Sequence, residues 1–183
     1  MKNLKKRFGT RDLVVISMLI GLIIIFERFL SIQTPIVRIG FAFIPIALTS
    51  ILFGPILGGI AAAVADFIGI LLFPTGGGFF PGFTLTAFLT GAVYGVFLHN
   101  KRKSFLNVSI AVVIVTFVLN LGLDTLWLYM IMDMGFVALL PKRIAKAIIM
   151  TPVQIFTIRI LWNQVLCRLP GSIQHQLAFK CER

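Results

Sequence analysis

The chain has 183 residues, 58% of them hydrophobic and only 13% charged, with a mean hydropathy of +1.02. A soluble domain of this length cannot cover its surface with so few polar groups, so composition excludes a globular soluble fold and indicates an integral membrane protein. The formal net charge of +11 requires no nucleic-acid partner, because the basic residues fall where membrane topology and anionic lipid account for them.

A hydrocarbon core about 30 Å thick takes roughly 20 apolar residues per helix, which leaves room for about six spans in one membrane domain spanning residues 1–183. The basic head, residues 1–11, leads into an apolar run that continues to Ile25 without a small-residue cleavage site, and reads as a retained first helix. Hydropathy and Gly/Pro breaks predict helices over about 10–31, 39–53, 55–73, 82–98, 105–132 and 141–166, then a tail from 167 to 183. The second span is short and carries Pro45, which predicts a kink. Continuous apolar runs without strand alternation exclude a closed barrel. The expected fold class is therefore an all-α, six-helix membrane bundle.

Charge placement predicts the orientation. The head, the loop residues Lys101, Arg102 and Lys103, and the tail residues Arg168, Lys180 and Arg183 hold eleven of the seventeen basic residues. With six spans all of these lie on one side, which the positive-inside bias makes the cytoplasm, with both termini there. Cys167 and Cys181 fall on that side without partners at metal-ligand spacing and read as free thiols. His99 and His175 each stand alone there, so neither meets the geometric test for a metal or catalytic site.

Arg28, Arg38, Lys142, Arg143 and Lys146 lie instead at the opposite ends of their spans, where few cations are expected. Pairing with Glu27, Asp124 and Asp133 and snorkelling to headgroups is one explanation. A cationic mouth for an anionic small molecule is the other. The stretch "FPTGGGFFPGFTLT", residues 73–86, falls on the same side. Its glycines permit close backbone approach, its prolines stiffen the ends, and Phe79, Phe80 and Phe83 can stack on a flat ring or form an interfacial belt.

Polar residues inside the spans must face the bundle interior. These are Asp66, Asn120, Asp124, Gln154 and Arg159, with Asp66–Arg159 pairing as one way to neutralise both. Asn120, Asp124 and Trp127 follow i, i+4, i+7 spacing and so share a helix face. Thr84 and Thr86 either cap the fourth span or touch a ligand. The pairs Ser17/Gly21, Gly58/Ala62 and Gly91/Gly95 have the small-xxx-small spacing that lets helices approach closely in lipid. The chain has no phosphate-cradling nucleotide loop, no metal motif within a span and no clear repeat between its halves, so it resembles an unpowered subunit.

The run "ERFLSIQTPIVRIGFAFIPIALTSILFGPILGGIAAAVADFIGILLFPTGGGFFPGFTLTAFLTGAVYG", together with "NLGLDTLWL" and "LPKRIAKAIIMTPVQ", resembles the substrate-binding S components of energy-coupling factor (ECF) vitamin transporters, within them the folate-specific branch. The resemblance covers about residues 13–166. It implies a bacterial plasma-membrane protein that captures folate or a related anionic vitamin from outside. Delivery would require a transmembrane coupling subunit and two ATPases, with no cofactor or metal and no enzymatic activity in this chain. Folate's dianionic glutamate suits Arg28, Arg38, Arg143 or Lys146. Its flat pterin suits Phe79, Phe80 or Trp127 for stacking and Asp66, Asn120, Asp124 or Gln154 for its polar edge, with Thr84 beside them. Ser17 and Gly21 stand where such proteins carry a small-residue pair for docking the coupling subunit. The other readings are an S component for pantothenate or a pyrimidine precursor, a small membrane enzyme, or a ligand-free structural subunit.

Overall fold

Residues 9–33, 38–74, 80–99, 105–132 and 136–161 are described by a computed structural model of the chain. The readings attached to the basic head up to residue 8, the glycine triplet and Phe79, the 101–103 cluster, Asp133, Cys167, His175, Cys181 and the tail lie outside those residues. For Arg38 and Lys142 only the backbone is described.

The helices are α1 (Thr10–Arg28), α2 (Phe43–Phe53), α3 (Pro55–Leu72), α4 (Pro81–Leu98), α5 (Phe105–Val113), α6 (Asp124–Met132) and α7 (Phe136–Leu161). Between α5 and α6 the chain stays helical but widens into a π-helix, Ile114–Leu123, so these three pieces form one span. Among the described residues, four stretches are long and apolar enough to cross a bilayer: Pro55–Leu72, Pro81–Leu98, Leu106–Ile131 and Arg143–Leu161. In α1 the apolar centre is bracketed by Arg11 and Asp12 at one end and Glu27 and Arg28 at the other.

Several element boundaries differ from the sequence expectation for identifiable reasons. The first span ends at Arg28 rather than Ser31, because Ser31–Gln33 (β1) pairs antiparallel with Arg38–Gly40 (β2), which also takes the expected start of the second span. Ser31 Oγ turns back to donate to Glu27 O. Ser31 lies opposite Gly40, where an added Cβ would stand 2.5 Å from the serine Cβ, so the ribbon closes only because residue 40 has no side chain. Since α2 begins at Phe43, Pro45 sits in its first turn, where its missing N–H leaves no bond unmade and no kink is required. The last helix begins before Pro141, not at it.

The tightest packing joins α3 to α4. A Cβ added at Gly91 would collide with Gly58 O, one at Gly95 with Pro55 Cα, and one at Gly58 with the Ser50 side chain of α2. The small-residue pairs of α3 and α4 thus bring two backbones into direct contact, where dispersion over a close surface replaces a hydrophobic drive that lipid does not supply. Around this seam Phe43, Ile51, Tyr94, Leu98, Val112 and Ile158 form the apolar core.

Cross-helix contacts define two ends of the bundle. At one, His99 Nδ1 lies 2.9 Å from Ile51 O, and its ring covers Gly54, whose φ of +89° makes the sharp corner between α2 and α3. This histidine is part of the corner. At the other end meet the C-terminal ends of α1 and α3, the N-terminal end of α4, and residues of α6 and α7.

Candidate binding site

Asp66 is 4% exposed on α3, and its Oδ2 accepts a hydrogen bond of 2.9 Å from Thr84 Oγ1 of α4. Thr84 is therefore a partner of the buried carboxylate and not a helix cap, and Phe80, which occupies the cap position, contributes no side-chain bond. Arg159, the other partner considered for Asp66, does not reach it. It lies exposed on α7, lining a groove of about 330 Å³ with Pro152, Ile155 and Phe156.

Two residues along α4, on its other side, Thr86 Oγ1 accepts from Trp127 Nε1 at 3.2 Å and donates to Gly82 O at 3.1 Å. The indole packs on Phe80 with ring centroids 5.5 Å apart, and Phe80 packs edge-on against Phe83 at 6.1 Å. A Cβ at Gly82 would stand 2.5 Å from Phe80 and 2.6 Å from Trp127, so that glycine makes room for both rings. Helix α4 thus presents a threonine to the carboxylate on one side and a threonine to the indole on the other.

Arg28 donates from Nη1 to Phe73 O at 3.5 Å and lies over Gly69, where an added Cβ would be 2.9 Å from Nε. It ties the end of α1 to the end of α3, beside an edge-on Phe29–Phe73 pair at 5.2 Å. Arg143, 9% exposed, donates from Nη1 to Asn120 O and to Thr125 Oγ1, both at 3.1 Å, while its Nε is buried with no hydrogen-bond partner among the described residues. The Asp124 carboxylate is close enough to act on its charge. Lys146 is half-buried on α7, and Arg38 stands in β2. Further along the same two spans Thr116 donates to Gln154 Oε1 at 3.3 Å.

The expected common face of Asn120, Asp124 and Trp127 does not carry over intact. Asn120 belongs to the π stretch, whose turns hold more residues than an α turn, whereas Asp124 and Trp127 belong to α6. Asp124 and Trp127 keep their helical relation, and Asn120 enters through its backbone carbonyl. Sequence reasoning missed Thr116 and Thr125. Both are hydroxyls inside apolar runs, where nothing marks a partner on another helix.

This end of the bundle therefore joins a buried carboxylate, an indole with a neighbouring phenyl ring, and guanidinium groups contributed by different spans. The family model described as "ECF transporter, substrate-specific component" matches residues 11–162. The chain is an ECF-transporter substrate-specific component. As an S component it is a multi-pass membrane transport subunit and not an enzyme. A protein named folate transporter FolT from Clostridium novyi is 44% identical over 153 residues, 84% of this S component and 88% of the relative. One of the same name from Leuconostoc mesenteroides is 33% identical over 175 residues, covering 91% and 93% of the two chains. The crystal structure of FolT bound with folic acid superposes with a TM-score of 0.82 at 39% identity, over 85% of this chain and 95% of that one.

The S component also carries a small-residue face on α1. Ser17 is exposed and its Oγ donates to Leu13 O at 2.9 Å, within its own helix. An added Cβ at Gly21 would meet nothing within 4 Å, unlike Gly91 and Gly95, which are filled by a neighbouring backbone. Leu13, Met18 and Ile25 are exposed along the same helix.

Proposed function

We propose that this S component captures folate at the bundle end formed by Arg28, Asp66, Phe80, Thr84 and Trp127, with that end facing outward and both termini in the cytoplasm. A transmembrane coupling subunit and two ATPases then drive delivery inward. The observation that carries the reading is the likeness to FolT bound with folic acid, which covers 85% of this chain at 39% identity. The site's chemistry agrees with it. The Asp66 carboxylate suits the donor edge of a pterin, and Phe80 and Trp127 suit its flat ring, with Phe79 as a further stacking candidate. Arg28, Arg38 and Lys146 supply positive charge for the glutamate. Asn120, Asp124 and Gln154 are the remaining polar candidates.

The test is equilibrium binding of folic acid to the purified chain in detergent, without nucleotide or partner subunits, by calorimetry and tryptophan fluorescence. Saturable binding with a Kd in the nanomolar range is expected. A folded, monodisperse protein that does not bind folic acid removes the assignment.

Ser17 and Gly21 are proposed as the docking face for the coupling subunit, since close approach in lipid needs small residues and this pair is not used inside the bundle. Gly21→Leu is expected to leave folding and folic acid binding unchanged and to abolish co-purification with the coupling subunit. Undiminished co-purification would place the docking face elsewhere.

A further inference from the structure

We infer that Arg143 is a positioning residue, which fixes the register in which the fifth span leaves its π stretch and thereby sets where Trp127 stands. The ligand-binding consequence rests on the folate site proposed above.

The last π-type bond runs from the Asp124 N–H to Leu119 O. A π turn bonds residue i to i−5 and an α turn bonds i to i−4, so the return to α geometry passes over one carbonyl. After Leu119 the next carbonyl is that of Asn120, and this is the one Arg143 Nη1 occupies at 3.1 Å. The same nitrogen donates to Thr125 Oγ1 at 3.1 Å, and Thr125 Oγ1 donates in turn to Leu121 O. One guanidinium nitrogen thus replaces the missing backbone donor and holds the first turn of α6 through Thr125. In a span shielded from water no solvent can take that place.

Trp127 follows Thr125 by two residues, with its Nε1 on Thr86 and its ring over Gly82. A π stretch that reverts to α geometry rotates everything after it by about 100° per residue taken up, since an α turn holds 3.6 residues. Such a rotation carries the indole away from Thr86, Gly82 and Phe80. Arg143 therefore acts on the site through the helix register. A direct role in holding the glutamate makes a different prediction, a loss confined to ligands that carry it.

The experiment uses the full chain with Trp162→Phe, which leaves Trp127 as the remaining one of the two tryptophans. Arg143→Met, Arg143→Lys and Thr125→Val are compared by ligand-free Trp127 emission and acrylamide quenching. Affinity is measured for folic acid and for pteroic acid, which lacks the glutamate. Arg143→Met and Thr125→Val are expected to shift Trp127 emission and to weaken both ligands alike, on the order of tenfold. The double variant should add little to the stronger single one, as coupled groups do. Arg143→Lys, which keeps a charged donor, should restore most of the loss. Unchanged emission in Thr125→Val, or a loss in Arg143→Met confined to folic acid, overturns the inference. If the parent chain binds neither ligand, the folate reading fails, while the ligand-free emission still decides the role of Arg143. If Arg143→Met does not fold, Thr125→Val and Arg143→Lys carry the test.

Discussion

Asp66→Asn is expected to weaken folic acid binding about 100-fold while leaving the protein folded, because a hydrogen bond to a charged group is worth ~1.5–3 kcal/mol and the substitution also turns an acceptor into a donor. Asparagine has the same shape and keeps one oxygen for Thr84, whose bond of 2.9 Å links α4 to α3. What disappears is the negative charge that a pterin edge bearing two N–H groups would meet in a site shielded from water. With Asp66 only 4% exposed, solvent does little to screen that difference. Calorimetry gives the affinity, and thermal unfolding in the same detergent shows whether packing is intact. An affinity within about threefold of the parent would mean that Asp66 holds α3 to α4 and nothing more.

Gly95→Val is expected to cost about 3 kcal/mol or more, at or beyond the upper range for overpacking. An added Cβ falls on Pro55 Cα, and the neighbouring Gly91 is held by Gly58 O in the same way. Backbone atoms cannot rotate aside as a side chain would, so α3 and α4 must move apart along the whole seam. Gly21→Val is the natural control, since its Cβ meets nothing within 4 Å and the isolated chain should tolerate it. Thermal unfolding and monodispersity on size exclusion report the difference. A Gly95 variant as stable as the Gly21 variant would mean that the α3–α4 contact contributes far less than its closeness implies.

The spans were readable because lipid demands long apolar runs, and Gly54, Pro55 and Pro81 mark breaks by ordinary backbone rules. The pairs Gly58/Ala62 and Gly91/Gly95 were readable as packing for the same reason. Asp66 could be singled out, since a carboxylate in a span must have a purpose, but its partner could not. Charge complementarity pointed to Arg159, whereas Arg159 lies on α7 beyond Gln154, away from the end where Thr84 reaches the carboxylate. The ribbon of Ser31–Gln33 and Arg38–Gly40 is too short to impose a period on the sequence. The π stretch was invisible because any reading by helical spacing assumes 3.6 residues per turn, and Ile114–Leu123 departs from that value. Thr125 gave no signal, since its role depends on an arginine eighteen residues away.

The seam between α3 and α4 has a kinetic corollary. Helices in backbone contact leave Asp66 and Thr84 little freedom to lose when a ligand arrives, so part of the ordering cost of capture is met during folding. Stiff walls that favour capture also prolong residence. With a nanomolar Kd and an association rate of about 10⁶ M⁻¹s⁻¹, a bound molecule stays for on the order of a thousand seconds. A subunit built this way is a trap when alone. Under the function proposed above, timely discharge into the cell falls to the partner subunits.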